Sequence, residues 1–285
     1  MKVICYSLFG YDRSRPDGCF DFNSYLRGLM INIRMNRLLF PDWEICLQTD
    51  QATYDAWGEL FNRLPITIEV HQNGVPLTLA MLWRLRPVYY KNEDTTAKYS
   101  HVLCRDLDSI ATYREVQAVR YWMNKDKTLH AITDSVSHDL PLLGGMIGII
   151  PKYFTERTMT RTWKELIDKN NSFNWNQKGS DQTFLNQIVY PCVAQKGTDS
   201  ITQHYVLGHG DTFLSDYHNK IQDMELDIPF EYKESNDCCG HIGSAGYYNG
   251  QTSKFINKHA DKFLDLIEIE KDYSDLFSWV KNGCY

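Results

Sequence analysis

The feature that most constrains this chain is the alternation of two hydrophobic periods along its N-terminal third. Residues 2–9 (KVICYSLF) form an apolar, β-rich run, and the stretch from Phe22 to Leu39 places Leu26, Leu29, Ile33 and Leu38 near helical spacing. Pro41 stops that helix; Trp43 to Gln48 reads as a second strand, Gln51 to Asn62 as a second helix and Ile66 to Val70 as a third strand. Repeated βα units imply a mostly parallel sheet with helices on both faces, and ligands of such sheets collect at the carboxyl ends of the strands. The chemistry is therefore expected in loops that follow strands.

The pattern continues through a helical piece at Leu79–Arg86 and an apolar strand, His101 to Cys104, that runs straight into charge. A helix from Tyr113 to Met123, a strand from Leu129 to Thr133, a loop to Pro141 and a glycine-containing strand LLGGMIGII come next. Helices near Thr155–Asp168 and Asp181–Val189, a strand near Ile201–Leu207, a polar loop rich in Asp and His, and a helical region from Ser253 to Trp279 complete the reading. No internal repeat or low-complexity linker divides it, so residues 1–285 read as a single α/β domain.

Composition narrows the function. With 43% apolar residues, 13% aromatics and 9 prolines in 285 positions, the chain can bury a sizeable core. A net charge of −6 argues against a surface that tracks nucleic-acid phosphates, leaving room for a local basic pocket that takes one phosphorylated small molecule. Of eight cysteines, Cys5, Cys46 and Cys104 sit inside apolar runs as small hydrophobes, which predicts reduced thiols and a cytoplasmic setting. The adjacent Cys238 and Cys239 have no second pair at zinc spacing and read as a loop. The apolar run before YDRSRPDG is too short for a signal peptide or a membrane span.

The sharpest local signal is Arg105-Asp106-Leu107-Asp108-Ser109 at the end of an apolar strand. Two carboxylates at i and i+2 on a post-strand turn can reach one hard divalent cation, and such an ion keeps open positions for phosphate oxygens. The competing reading is a solvated Asp-Ser turn. Upstream, Arg84 and Arg86 in MLWRLRP can clamp phosphate oxygens. Downstream, Gly144, Gly145 and Gly148 interrupt a buried strand, which suggests a bulge beside a substrate, because their spacing is not that of a dinucleotide fingerprint. Ser180 and Asp181 sit at a helix start, where capping competes with a role for the Asp181 carboxylate in a cleft. Among nine histidines, His138, His204 and His209 follow or precede strands and can supply a neutral imidazole to a metal or simply pack.

A strand, a post-strand DLDS, a strand carrying GGxxG, then DQxFLN and a downstream histidine occur in an order that resembles the metal-dependent nucleotide-sugar glycosyltransferases of the GT-A fold. The phrases FPDWEI (Phe40 to Ile45), WRLRP, RDLDS, HxxPxLGGMxG and DQxFLN look like those of bacterial and large-virus polysaccharide-building members, and they span roughly residues 1–210. The resemblance implies a mixed, mostly parallel, Rossmann-related sheet. It also implies a donor half over residues 1–110, an acceptor and catalytic half over 111–250, and a helical tail over 251–285. On it, Asp106 and Asp108 match the pair whose Mn²⁺ or Mg²⁺ bridges the donor diphosphate, with His204 the first choice for a third ligand and His209 and His241 the second. Arg84, Arg86, Arg105, Asp106, His138, Gly144 and Gly145 would surround a UDP- or GDP-linked sugar and its glycan acceptor. Asp181 and Gln182 would face the transferred sugar and act in catalysis. The HxxGxxKPW ending of better-studied relatives is missing here.

Two other classes stay open at this level. Haloacid-dehalogenase-type phosphatases also end a strand in DxD, and Gly210-Asp211 to Asp216 imitates their later acidic motif, but Ile110 departs from their pattern and three strand units precede the DxD. A non-catalytic sugar- or nucleotide-binding module is the other. The phosphatase class also works with Mg²⁺ and is distinguished by release of phosphate from a phosphomonoester without an acceptor sugar, whereas the binding module needs no divalent ion for its function.

Overall fold

The computed structural model describes residues 1–13, 22–133, 140–170, 172–194, 202–206, 243 and 259–274. Seven strands form one sheet: β1 (Lys2–Ser7), β2 (Glu44–Asp50), β3 (Thr67–His71), β4 (His101–Arg105), β5 (Leu129–Thr133), β6 (Met146–Ile149) and β7 (Thr202–Val206), in the order β3-β2-β1-β4-β6-β5-β7. β1 pairs in parallel with both β2 and β4, β2 with β3, and β5 with β7. β6 runs antiparallel to β4 and β5, so it alone among these strands is reversed. The fold is thus a mixed, mostly parallel sheet flanked by helices.

Period-two alternation divides the core. Ile4, Tyr6, Leu47 and Leu103 face α1 (Phe22–Leu39), α2 (Gln51–Arg63), α4 (Tyr113–Lys125) and a late helix that we number α9 (Leu264–Asp272). Val3, Cys5, Cys46, Val102 and Cys104 face the other layer, where α3 (Leu77–Met81) tightens into a 3-10 helix at Leu82–Tyr89. That layer also holds α5 (Pro151–Thr158), α6 (Trp163–Ile167) and α7 (Ser180–Phe184), which runs through a π-helical turn at Leu185–Val189 into α8 (Tyr190–Ala194). Cys5, Cys46 and Cys104 are buried and free, as their apolar surroundings predict. Among the described residues no helix is long and apolar enough to cross a membrane.

The helices start where short polar side chains can satisfy their first N–H groups. Asp50 caps α2 by accepting from Thr53, Thr112 caps α4 by accepting from Glu115, and Thr162 caps α6 by accepting from Glu165. α9 is drawn onto α1 and α2 by burial of Phe263, Leu266 and Ile269, and by three ion pairs: Arg34 with Glu270, Arg37 with Asp265 at 2.9 Å and Arg63 with Asp272 at 2.6 Å.

Several expected boundaries shift for physical reasons. The single helix expected over Thr155–Asp168 is two, because Met159 turns left-handed at φ 51° and ends α5 before Thr162 opens α6. The glycine-containing strand is shorter than expected: only Met146–Ile149 pairs, and Gly144 and Gly145 lie in a turn closed by the Met146 N–H on the Leu143 carbonyl at 2.8 Å. Its ladder with β4 is continuous, without a bulge. A β-carbon on Gly148 would lie 2.7 Å from the Trp122 ring, so that glycine makes room for a buried tryptophan and not for a substrate. Within the helical region expected over Ser253–Trp279, the described residues form a helix at Leu264–Asp272; the expected polar loop lies outside the described residues.

Candidate functional site

The chain leaves β1, builds β2 and β3 outward on one side, and returns to the opposite side of β1 as β4. Connections from neighbouring strands diverge at such a reversal, and a crevice opens beyond their carboxyl ends. A pocket of about 180 Å³ lies there, lined by Ser7, Leu8 and Phe9 after β1, Tyr25 of α1, Leu77 and Met81 of α3, and Arg84, Asp106 and Leu107. Its walls are apolar and aromatic, with one arginine and one carboxylate as the charged groups.

Arg84 reaches the pocket from the 3-10 helix. Its Nε donates to the Met81 carbonyl at 2.7 Å, and its guanidinium pairs with the Asp106 carboxylate. The arginine side chain is 4% exposed and the Asp106 side chain 42%, so the pair is anchored on its cationic side and open on its anionic side. Asp108 is partly buried on the same turn. Burial raises its carboxyl, the neighbouring Asp106 charge adds to the shift, and the result is about 6. Burial also raises the Asp181 carboxyl; Arg84 opposes the shift and Asp106 reinforces it. Asp106, Asp108, Asp181 and Arg84 therefore form one electrostatic unit.

The acidic turn is held from below by α1. Asn32, fully buried, donates to the Leu107 and Ser109 carbonyls at 3.1 and 3.0 Å and accepts from the Ala111 N–H at 3.3 Å. Gly28 lets the helix approach so closely that a β-carbon there would lie 2.0 Å from the Leu107 carbonyl oxygen. Gly28→Ala should cost about 1–3 kcal/mol by overpacking, read as a lowered midpoint in urea unfolding, and should displace the acidic turn. A midpoint unchanged from wild type would show that the helix shifts freely. Gly28 and Asn32 do not figure among the site residues that the sequence motifs mark, although a glycine and a polar residue in an apolar helix are the signals that point to them.

The other expected site residues divide. The ladder pairs Arg105 with Met146, so the next position places Gly145 opposite Asp106, and a β-carbon on Gly145 would lie 1.8 Å from Asp106 Oδ2. A β-carbon on Gly144 would lie 3.4 Å from the Gln182 side-chain amide and 3.5 Å from Arg84 Nη2. Arg84, Asp106, Gly144, Gly145 and Gln182 therefore come together. Arg105 does not face the pocket: alternation along β4 turns it under α4, where it is 2% exposed and pairs with Glu115 at 2.9 Å. Arg86 pairs with Glu69 of β3 at 3.0 Å and lies over the Trp163 ring at 5.9 Å. His204 is in the middle of β7, opposite Ala131, with β5 and β6 between it and β4, a span of about 14 Å. His138, His209, His241 and the segment Gly210–Asp216 lie outside the described residues.

Among the described residues, no three His, Cys, Asp or Glu side chains converge as a metal-binding group. Two carboxylates on one turn still suit Mg²⁺ or Mn²⁺, since such ions are held by one or two carboxylates with the remaining positions left to water and phosphate oxygens. The half-exposed Asp106 and the strained charge of Asp108 fit that donor set.

No family model matches the chain, and no curated sequence relative does. Among solved structures it is similar to 4-diphosphocytidyl-2C-methyl-D-erythritol synthase from Anaerococcus prevotii, with 9% identity and a TM-score of 0.41 over 73% of this chain and 89% of that one. It is also similar to mouse xyloside xylosyltransferase 1, with 8% identity and a TM-score of 0.37 over 71% of this chain and 84% of that one.

Proposed function

We propose that this protein is a divalent-cation-dependent glycosyltransferase of GT-A type that moves a sugar from a nucleoside diphosphate to a hydroxyl of a glycan. One observation carries the reading: the pocket at the β1/β4 reversal has apolar and aromatic walls ending in Arg84 and Asp106, a chemical match to a nucleoside joined to a diphosphate. Asp106 and Asp108 would hold the cation, which when bound supplies positive charge to the departing diphosphate.

The chain's own residues do the rest. Breaking the sugar–phosphate bond leaves negative charge on the nucleotide, and Arg84, fixed through its Nε and almost wholly buried, offers preorganised N–H groups where that charge forms. Asp181, whose carboxyl burial holds above the usual range, is the candidate to take the acceptor hydroxyl's proton. The pocket walls exclude water around the base and ribose.

Thermal shift with UDP- and GDP-sugars, with and without Mn²⁺, tests this reading. A donor at about 100 times its dissociation constant should raise the midpoint by about 5–10 °C in the presence of Mn²⁺ and much less in EDTA. A shift that is the same with and without the ion would refute the cation requirement. Release of phosphate from a phosphomonoester without any acceptor would favour a phosphatase.

A further inference from the structure

The turn that lays Gly145 against Asp106 is held by two side-chain amides of the neighbouring helix. Gln182 in α7 and Asn186 in the π-helical turn are one helical turn apart and share a face. Asn186 accepts from the Leu142 N–H at 2.9 Å and donates back to the Leu142 carbonyl at 2.8 Å. Gln182, oriented by the same neighbours, donates to the Leu142 carbonyl at 3.0 Å and accepts from the Gly144 N–H at 3.2 Å. Asn186 also donates to the Gln182 carbonyl at 2.9 Å, which ties the pair together. The two amides thus present the edge that a β-strand would present, and the Leu142–Gly144 backbone pairs with it.

The consequence is carried to the carboxylate. Gly145 is gripped from its far side by Arg105, whose Nη1 reaches its carbonyl at 3.4 Å, and Asp106 Oδ2 occupies the space where a side chain on Gly145 would stand. A turn that drifts by an ångström changes where that carboxylate can sit. We propose that Gln182 and Asn186 are a positioning pair that holds the glycine turn against Asp106 and so aims its carboxylate into the pocket. The inference rests on the reading of that pocket as a cation and diphosphate site, and it assigns the Gln182 amide to the backbone of the turn and not to the transferred sugar. Ligand-orienting partners of this kind typically change metal affinity by 10–100-fold when removed.

The test is Mn²⁺ binding to the full chain without nucleotide, followed by electron paramagnetic resonance of the free ion. Asn186→Asp and Gln182→Glu replace a donating NH₂ by an oxygen that faces the Leu142 carbonyl, at almost unchanged volume. Each should weaken Mn²⁺ by about 10–100-fold and raise hydrogen exchange across residues 140–146. Val189→Ala, a buried apolar position on the same π-helical turn whose side chain makes no hydrogen bond to the glycine turn, serves as the control for stability loss. Should Val189→Ala weaken Mn²⁺ as much as either amide variant at matched melting temperature, or should both amide variants bind within about threefold of wild type, the positioning role is overturned while the site reading stands. A wild-type protein that takes up no Mn²⁺ removes the site reading and, with it, the pair's purpose.

Discussion

Asp108→Asn is expected to abolish sugar transfer and, in metal-free protein at pH above 6, to make the fold more stable. The two effects have one cause. Burial and the Asp106 charge raise the Asp108 carboxyl from its ordinary 3.8 to about 6, so the ionised form is disfavoured in the folded protein. The sign follows from linkage: a group whose folded value lies above its unfolded value contributes fully below about 3.8, and that contribution is lost as pH rises through about 6. At pH 7.5 the charge costs the fold about 2 kcal/mol after allowance for partial exposure. Asparagine removes that cost, so calorimetry in EDTA should show a midpoint raised by about 4–8 °C at pH 7.5 and little change at pH 4. On the transferase reading proposed above, activity moves the other way, with turnover falling at least about 100-fold, because a leaving diphosphate would lose charge stabilisation worth several kcal/mol. Asp106→Asn should lose as much activity while lowering stability, since the buried Arg84 is deprived of its carboxylate. If Asp108→Asn destabilises the apo protein at pH 7.5, or leaves transfer intact, the turn is structural.

The second large effect lies at the contact between α1 and α9, where Arg34 and Glu270 pair with side chains 2% and 0% exposed. Glu270→Ala should cost about 3–5 kcal/mol, because it leaves a guanidinium buried against α9 without its carboxylate. Burial pushes the Glu270 carboxyl up to about 7 although Arg34 opposes the shift, so a neutral acceptor is nearly as good there, and Glu270→Gln should cost much less than Glu270→Ala. Replacing both residues, Arg34→Met with Glu270→Leu, should recover most of the loss. Urea unfolding of the four proteins decides the point; a double variant as unstable as Glu270→Ala would show that packing of α9 and not loss of the ion pair sets its docking. The exposed pairs Arg37–Asp265 and Arg63–Asp272 should contribute little beside it, since solvent screens them.

What could be read beforehand follows from the range of the forces involved. The α1 boundaries, the strand at Leu129–Thr133 and the acidic turn after β4 depend on local periodicity and caps, and the residues state these directly. Arg105 shows where local reading ends. Next to two aspartates it reads as a ligand group, yet the alternation that buries Leu103 also buries Arg105, and its partner Glu115 lies in the following helix. Gly145 stood out as a glycine in an apolar run, but its meaning depends on β6 lying antiparallel to β4, a long-range pairing that no period in the sequence records. The same holds for Gln182, where the DQxFLN phrase marks the helix and not which way its amides turn.

The reversed strand also limits what substitutions by length this protein can absorb. Because Asp106 and Gly145 meet only through the rung next to Arg105 and Met146, one residue added to or removed from His101–Arg105 or Met146–Ile149 would slide the carboxylate to a position with a side chain and move every inward residue of that strand outward. A library of single-codon insertions, scored for folded protein, should therefore be depleted sharply at these two short stretches.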